Sequence, residues 1–324
     1  MRIIQKGVPG RRGLRFIAIL HPVGCYGATG ANISISLALA LGNIHCSSTS
    51  MQKSIMRYSG RKGGIMGSSN YADKAIIMAA GLGNRMRPVT DHIPKPLIPV
   101  NGTRMIDTAI DALHDNGIRE IHIVTGYLKE KFDVLKEKYP DVDFIENPYY
   151  RTCNNISSLY VAREYLGRCI IMDGDQVIYN REVLFPQFTK SGYCSIWTEG
   201  HTDEWLQNVE GNRVVSCSRT GGSHGWQLLS ISFWSEQDGI RLKGLLEFEF
   251  EKKRNTQIYW DDIAMFYYPE RFDLGIRPVQ RGDVVEVDSC VELIGLDGSY
   301  KDLWRNHFVP GQGVESRQCS GIVG

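Results

Sequence analysis

The sequence has 324 residues, of which 42% are hydrophobic and 23% charged, and its formal net charge is +1. This composition is typical of a globular protein with one large domain or two smaller ones. It contains no apolar run of the roughly 18 residues that a membrane-spanning helix needs, which argues against such a helix.

The charge is unevenly distributed along the chain. Residues 1–72 contain nine Lys or Arg and no Asp or Glu, so the remainder carries 28 basic and 36 acidic side chains, a net charge of about −8. An acidic body disfavours non-specific binding to nucleic acids. We interpret residues 1–72 as an extension that is disordered or not part of the fold, with Met66 as an alternative start. A targeting segment and a small binding module are the alternatives, because an acid-free stretch with Arg and Ser resembles a targeting peptide.

From Asp73 onward, strand patterns alternate with helical patterns. The predicted strands are Lys74–Ala80, Glu120–Thr125, Asp143–Glu146 and Arg168–Met172. The predicted helices between them are Thr103–Asn116, Tyr127–Tyr139 and Asn155–Leu166. Strands separated by helices of this length indicate βαβ units and a parallel sheet. Binding sites in such sheets lie at the carboxyl ends of the strands.

The second half of the chain has shorter strand patterns. These are Tyr193–Trp197, Leu206–Glu210, Val214–Ser218, Gln227–Trp234 and Val284–Val287. A helix is predicted over Gln237–Lys253. No segment rich in Pro, Gly or Ser divides the two halves, so we expect this half to extend the same sheet and to cover one side of the cleft. The predicted domain therefore spans residues 73–304, and residues 305–324 form an unstructured tail.

The eight cysteines are scattered, without a CxxC pair or a zinc-type cluster of Cys and His. They predict free thiols in a reducing compartment. We accordingly expect a cytoplasmic protein.

The segment MAAGLGNRMRP, Met78–Pro88, follows the first strand and has three interpretations. A dinucleotide-binding fingerprint requires a third glycine where Met86 stands, and a Walker loop requires Gly-Lys followed by Ser or Thr, which occurs nowhere in the chain. The third interpretation is a nucleotidyltransferase loop, in which glycine amides surround a nucleotide and cations hold its triphosphate. Gly81 and Gly83 permit close approach of the backbone and a positive φ. Arg85 offers a forked donor to phosphate oxygens.

The longer string AAGLGNRMRPVTDHIPKPLIPVNG resembles the signature of the nucleoside-triphosphate transferase family. The resemblance implies an α/β, Rossmann-like fold with a mixed, mostly parallel sheet and helices on both faces. The nucleotide-binding and catalytic residues that it implies are Ala80, Gly81, Leu82, Gly83, Arg85 and Lys95. Lys95, held between Pro94 and Pro96, would neutralise charge that grows on the reacting phosphorus. Arg87 is either a phosphate contact or a solvated surface charge.

Two carboxylates, Asp173 and Asp175, follow an apolar strand in IIMDGDQVI. Such a pair is costly unless a cation or a donor compensates it, and carboxylate oxygens suit Mg²⁺, which also binds triphosphate oxygens. The family carries a metal-binding Asp just after this strand and a second one later in the chain. We assign the first metal-binding role to Asp175, with Asp173 as the alternative. We assign the second to Asp261 in IYWDDIA, with Asp262 as the alternative. The structural alternatives are a turn with Asx hydrogen bonds for the first pair and an N-cap for Asp262.

Within the family, the body of the chain resembles bacterial CTP:phosphocholine cytidylyltransferases over about residues 74–304. The strings that carry this resemblance are VTGYLKEKFDVLKEKYP, YYRTCNNISSLYVAREYL, HTDEWL, LLSISFWS and YWDDI. It implies that Asn154 and Asn155 border the nucleotide and that Gly126 and Ser157 lie near the base. Asn155 has a structural alternative, because an Asn at the start of a helix is commonly a cap.

Aromatic residues lie beside carboxylates in TDEW and YWDD. A quaternary ammonium donates no conventional hydrogen bond and binds best to aromatic faces near a negative charge. We therefore predict Trp205, Tyr259 and Trp260 as acceptor-binding residues, with burial in the core as the alternative for any tryptophan. The run LLSIS and the turn RTGGSHG depart from the family pattern and bear on which acceptor is used.

The resemblance implies transfer of CMP from CTP to phosphocholine, giving CDP-choline and pyrophosphate, with Mg²⁺ as cofactor. The acceptor phosphate is already anionic at neutral pH, because its second pKa is about 6, so no general base is needed. Phosphoethanolamine, 2-aminoethylphosphonate and a sugar 1-phosphate are alternative acceptors. A non-catalytic nucleotide sensor is the alternative of another class, and it would be expected to lack Lys95 or the metal carboxylates. A homodimer is left open by the sequence.

Overall fold

The computed structural model describes residues 70–302. The extension predicted over residues 1–72 and the tail predicted over residues 305–324 therefore lie outside the described residues, apart from residues 70–72. These three belong to the fold, because Asn70–Tyr71 is a short strand, β1, that pairs antiparallel with Gln187–Phe188, and Ala72 is buried.

The domain is built on a nine-stranded mixed sheet. The strands after β1 are β2 Lys74–Ala79, β3 Pro99–Val100, β4 Thr103–Arg104, β5 Glu120–Thr125, β6 Val142–Glu146, β7 Cys169–Asp173, β8 Gln176–Ile178, β9 Gln187–Phe188, β10 Gly192–Thr198, β11 Leu206–Glu210, β12 Arg213–Ser218, β13 Gly225–Trp234, β14 Gly275–Pro278 and β15 Val284–Glu286. The order in the large sheet is β12-β11-β13-β7-β2-β5-β6, with β10 beside β13 and β14 beside β10.

The first half of the chain supplies the parallel part of this sheet, as predicted. Strands β2, β5, β6 and β7 run parallel to one another. Strand β13 joins this block antiparallel to β7 and carries the second half of the chain into the same sheet. A turn at Glu210–Asn212 connects β11 to β12, and Gly211 adopts a φ of 61° there.

Helices cover both faces of the sheet, as predicted. They are α1 Met105–Asp115, α2 Ile156–Val161 and α3 Glu236–Glu247. A fourth helix, α4 Cys290–Leu296, packs in a separate apolar cluster. Because side chains of a strand alternate between its faces, Ala75 and Ile77 of β2 enter one apolar core together with residues of α1. Ile76 and Met78 enter a second core with residues of α2 and α3.

Three predicted helices differ from those observed. The helix predicted over Asn155–Leu166 ends as α2 at Val161 and is followed by a 3₁₀ helix over Arg163–Tyr165. Tyr127–Tyr139 contains a 3₁₀ helix over Lys129–Leu135, which begins after Leu128 in a left-handed conformation. The helix predicted over Gln237–Lys253 begins as α3 and ends as a π-helix over Phe248–Lys252. The remaining short helices are Asn84–Met86, Val89–Asp91, Lys95–Leu97, Arg181–Leu184, Ile263–Tyr267, Pro269–Arg271 and Gly298–Tyr300.

Between residues 70 and 302, no helix is long and apolar enough to cross a membrane. The cysteines in this range are free thiols, as predicted. They are Cys153, Cys169, Cys194, Cys217 and Cys290. The other cysteines lie outside the described residues.

Candidate active site

A cavity of about 380 Å³ lies at the carboxyl ends of β2 and β7. It is lined by the glycine loop at residues 78–86, by Lys95, by polar residues around the start of α2, and by the carboxylates Asp173, Asp175 and Asp288. This is the edge at which parallel sheets place their binding sites. Among residues 70–302, no histidine lines this cavity.

The two glycines of the loop have different roles. Gly83 has a φ of 63°, and a Cβ there would lie 2.8 Å from Cγ2 of Thr90. The Thr90 hydroxyl donates to the Gly83 carbonyl at 2.8 Å and fixes this turn. Gly81 does not adopt a positive φ, contrary to expectation, and a Cβ there would meet nothing within 4 Å. Gly83 therefore forms the turn, whereas Gly81 leaves open space in the cavity wall.

The other loop residues divide between the cavity and the surface. Residues 80–83 line the cavity, as predicted. Arg87 is not among the lining residues and forms an exposed ion pair with Asp91, in which Nε and Oδ1 are 3.4 Å apart. Arg87 is therefore a surface charge.

Lys95 and Arg85 converge on one carboxylate, Asp288. The Lys95 Nζ lies 2.5 Å from Oδ2 of Asp175 and 2.7 Å from Oδ1 of Asp288, and Nη2 of Arg85 lies 2.8 Å from the same Asp288 oxygen. Burial alone would lower the pKa of Lys95, but Asp175 and Asp288 outweigh it and raise the pKa above its ordinary value. Lys95 is therefore charged at neutral pH.

Three carboxylates form a group beside Lys95. Asp173, Asp175 and Glu286 each offer an oxygen that lies within 4.8 Å of the other two. Burial, together with the charges of Asp175 and Asp261, raises the pKa of Asp173 well above its ordinary value, and burial with Asp175 and Asp173 does the same for Glu286. The Oδ1 atom of Asp175 is buried and has no hydrogen-bond partner among the described residues. The negative charge of these three carboxylates is not fully compensated by nearby cations. Such a group of oxygen ligands suits a hard divalent cation.

Asp261 lies near this group but outside it. Its charge contributes to the raised pKa of Asp173, and burial raises the pKa of Asp261 itself to about 7. The structure thus brings Asp173 and Glu286 into one group with Asp175, and the assignment of Asp261 as a metal ligand stays a prediction. Asp262 makes no side-chain cap hydrogen bond to the helix that follows it, so the cap interpretation is wrong.

The end of the domain supplies Glu286 and Asp288, which sequence analysis missed. Strand β15 pairs antiparallel with β8 and places Glu286 opposite Gln176. The backbone N–H of Val287 donates to the carbonyl of Asp175 at 3.2 Å. The signal was present in VVEVDS, where acids end a predicted strand as they do in IIMDGD, but the sequence did not show that these two strands meet.

Of the four residues predicted to border the nucleotide or lie near its base, three line the cavity: Asn154, Asn155 and Ser157. Oδ1 of Asn155 accepts a hydrogen bond from the backbone N–H of Trp260 at 2.9 Å and makes no cap bond to α2, so the cap interpretation is wrong. Gly126 does not line the cavity. A Cβ there would lie 2.9 Å from a backbone carbonyl oxygen just after β2, so Gly126 is required by packing.

The side chains of Trp205, Tyr259 and Phe266 form a group that we call the aromatic box. The Trp205 ring centroid lies 5.8 Å from that of Tyr259 and 5.1 Å from that of Phe266, both in edge-to-face geometry. Trp260 is not part of the box, because it is 3% exposed and packs against two other buried aromatic rings. The structure thus corrects the prediction at Trp260, which is a core residue.

The chain is similar in sequence and in fold to known proteins. Residues 74–188 match a family model described as Nucleotidyl transferase. The chain is 38% identical over 244 residues to a 2-aminoethylphosphonate cytidylyltransferase of Lancefieldella rimae, with 75% of this chain and 99% of that protein covered. It is 33% identical over 229 residues to a choline-phosphate cytidylyltransferase of Streptococcus pneumoniae, with 71% and 99% covered.

A solved structure is also similar. The CTP:phosphocholine cytidylyltransferase of Streptococcus pneumoniae matches with a TM-score of 0.64 at 31% sequence identity. The match covers 70% of this chain and 98% of that one.

Proposed function

The chain belongs to the nucleotidyltransferase family, as one of its cytidylyltransferases, and from this premise we propose that it transfers CMP from CTP to a small acceptor. The acceptor carries an anionic phosphoryl or phosphonyl group and a cationic ammonium group, either primary or quaternary. The observation that carries this proposal is that the glycine loop, the cations Lys95 and Arg85 and the carboxylates Asp173 and Asp175 line one cavity.

In the proposed reaction, an oxygen of the acceptor attacks the α-phosphorus of CTP. A bond forms between that oxygen and the α-phosphorus, the bond from the α-phosphorus to the oxygen that bridges to the β-phosphate breaks, and pyrophosphate leaves with the electron pair. The second pKa of a phosphomonoester is about 6, so the attacking oxygen is already anionic at neutral pH. The residues of the cavity therefore have to position the reactants and compensate charge rather than remove a proton.

Lys95 and Arg85 supply positive charge for the triphosphate. Asp288 holds both cations at the cavity through ion pairs, which phosphate oxygens replace when CTP binds. The Lys95 side chain is 10% exposed and fixed by two partners, so we assign it to the charge that develops on the reacting phosphorus and the leaving oxygen. The Arg85 side chain is 74% exposed, and we assign it to binding of the non-bridging oxygens.

Asp173, Asp175 and Glu286 are the residues that we propose to hold Mg²⁺. Bound there, Mg²⁺ would neutralise triphosphate charge and polarise a phosphate oxygen. The raised pKa values of Asp173 and Glu286 and the unpartnered oxygen of Asp175 are the features that support this assignment, because a divalent cation favours the ionised carboxylates.

Two acceptors have specific support. The sequence predicts phosphocholine, and the Streptococcus pneumoniae relative is named for that acceptor. The Lancefieldella rimae relative is named for 2-aminoethylphosphonate. The aromatic box and the acids beside it suit a cationic group.

A pyrophosphate-release assay tests the proposal. CTP, UTP and dTTP are each combined with phosphocholine, 2-aminoethylphosphonate, phosphoethanolamine and glucose 1-phosphate in the presence of MgCl₂. We expect turnover with CTP and an amine acceptor and none with glucose 1-phosphate. The matched control is Asp175→Asn, which preserves shape and removes a charge. If no pair releases pyrophosphate faster than this control does, the proposed function is wrong, and CTP binding without turnover would then identify a nucleotide sensor.

A further inference from the structure

The aromatic box is occupied by a cation of the chain itself, Arg219. Its Cζ lies 3.9 Å from the ring centroid of Phe266 and 5.8 Å from that of Trp205. Its Nη2 lies 2.6 Å from Oδ1 of Asp262, whose side chain is 5% exposed. A guanidinium over the rings of Phe266 and Trp205 and beside a buried carboxylate makes the contacts with which such a box would hold a cationic ligand.

The turn that carries Arg219 is fixed in place. It is the segment RTGGSHG, and Gly221 adopts a φ of 67° within it. The backbones of Thr202 and Gly222 exchange two hydrogen bonds of 2.9 Å each, which join this turn to the loop that carries Trp205. A Cβ at Gly221 would lie 1.8 Å from the Thr202 carbonyl oxygen, so the turn requires glycine at that position.

The aromatic box is tied to the reaction cavity through the chain. Tyr259 of the box precedes Trp260, whose backbone N–H donates to Oδ1 of the cavity-lining Asn155 at 2.9 Å. Glu204, which precedes Trp205, is an exposed carboxylate. Among the described residues, Glu204 forms no ion pair within 4 Å.

On the proposed function, on which this assignment rests, we infer that Arg219 determines acceptor specificity. It occupies the aromatic box as a resident cation, closes it to quaternary ammonium groups, and directs the enzyme to acceptors with a primary amine. The chain thereby prefers 2-aminoethylphosphonate or phosphoethanolamine to phosphocholine.

The selectivity follows from what each ammonium group needs. A trimethylammonium group donates no N–H hydrogen bond and gains its affinity from aromatic faces, so it must displace Arg219 from the box and from the buried Asp262. A primary ammonium donates three hydrogen bonds and binds convergent oxygen acceptors. Glu204, the neighbour of Trp205 in the chain, is an exposed carboxylate of that kind, and a primary ammonium reaches it without displacing Arg219.

The test is the ratio of kcat/KM values for 2-aminoethylphosphonate and phosphocholine, measured with CTP on the full chain. We expect the wild-type protein to favour 2-aminoethylphosphonate. Arg219→Met removes the cation and keeps an apolar chain of moderate length, and we expect it to raise kcat/KM for phosphocholine about 3- to 30-fold, the range of a cation–π contact. The value for 2-aminoethylphosphonate should change less than 3-fold. Arg219→Lys, which keeps a cation, should retain part of the wild-type preference.

Arg241→Met is the matched control. Arg241 also stacks on an aromatic ring, Phe272, and pairs with an acid, Asp238, but neither partner belongs to the aromatic box. We expect its acceptor ratio to equal that of the wild type.

Tetramethylammonium chloride provides a second measurement that does not depend on turnover. It should quench tryptophan fluorescence of Arg219→Met at millimolar concentrations and leave the wild type unchanged. A wild-type preference for phosphocholine, or an acceptor ratio that Arg219→Met does not change, would overturn the assignment while leaving the cytidylyltransferase activity in place. Failure of every acceptor with the wild-type protein would instead overturn the proposed function.

Discussion

Replacing Lys95 by methionine tests the arrangement of the reaction cavity most directly. Methionine has a similar length and no charge, so the variant removes one cation from the carboxylate group without opening a large void. Lys95 lies between two proline residues in the 3₁₀ helix Lys95–Leu97, whose backbone does not depend on the side chain. The effect of the substitution is therefore expected to be electrostatic.

The structure sets the magnitude of this effect. Lys95 makes two charge-assisted hydrogen bonds, of 2.5 and 2.7 Å, from a side chain that is 10% exposed. Removal of one preorganised donor from a catalytic centre costs about 2.7–4 kcal/mol of transition-state stabilisation, or about 100- to 1000-fold in kcat. The same change leaves Asp175 and Asp288 without a buried cation, and we expect it to lower the free energy of unfolding by about 3 kcal/mol.

Pyrophosphate release under saturating CTP measures kcat, and a CTP titration in the presence of MgCl₂ measures binding. We expect kcat to fall at least 100-fold and the Kd for CTP to rise less than 10-fold. Arg87→Met, which removes a surface cation paired with Asp91, should leave both values unchanged. A variant of Lys95 that retains kcat within 3-fold of the wild type and loses CTP affinity would make Lys95 an anchor of the ground state and refute its role in the chemical step.

The remaining predictions concern the glycine loop, the carboxylate of Asp261, and the role of Glu286 in holding Mg²⁺. Gly83→Ala should lower the free energy of unfolding by more than about 1 kcal/mol in denaturant titrations, because a Cβ is unfavourable at its left-handed φ and would collide with the methyl group of Thr90. Gly81→Ala should keep the free energy of unfolding of the wild type and weaken CTP binding. Asp261 has a pKa of about 7 in the folded chain against an ordinary 3.8, so the folded state binds a proton more tightly than the unfolded state does. Its contribution to stability is fully present below pH 4 and is lost as the pH rises to about 7, by at most about 4 kcal/mol. In protein treated with EDTA, Asp261→Asn should flatten the loss of stability between pH 5 and pH 8, and an unchanged slope would place the titration elsewhere. Glu286→Gln should abolish the rise in Tm that MgCl₂ produces in the wild type, while a retained rise would remove Glu286 from the metal site.

The parts of the site that the sequence predicted are those in which neighbours along the chain are also neighbours in space. The glycine loop, Lys95 and Asp175 each follow a strand or lie between prolines, so their local pattern was sufficient to identify them. Their meeting in one cavity follows from the parallel order of β2 and β7, which the alternation of strands and helices predicted.

The parts that could not be predicted depend on contacts between distant segments. Glu286 reaches the carboxylate group only because β15 pairs with β8, and nothing in either three-residue strand specifies the other. Trp205 and Trp260 have similar local sequences, each beside an acid. Trp205 nevertheless belongs to the aromatic box, whereas Trp260 is buried in the core. Burial of a tryptophan is a property of the packed chain, so sequence alone left both roles open. Arg219 was missed for the same reason, since its turn gave no sign of which ring it would cover.

The pairing of β15 with β8 has a consequence for biosynthesis. The last strand of the large sheet, β14, ends at Pro278, and Glu286 and Asp288 follow it in the chain, so the acids that finish the nucleotide pocket are synthesised after every strand of that sheet. Until then, the chain holds Lys95 and Arg85 without their shared partner at position 288. Turnover is thereby deferred until translation of the domain ends, and a chain shortened before β15 is expected to be inert even where its sheet folds.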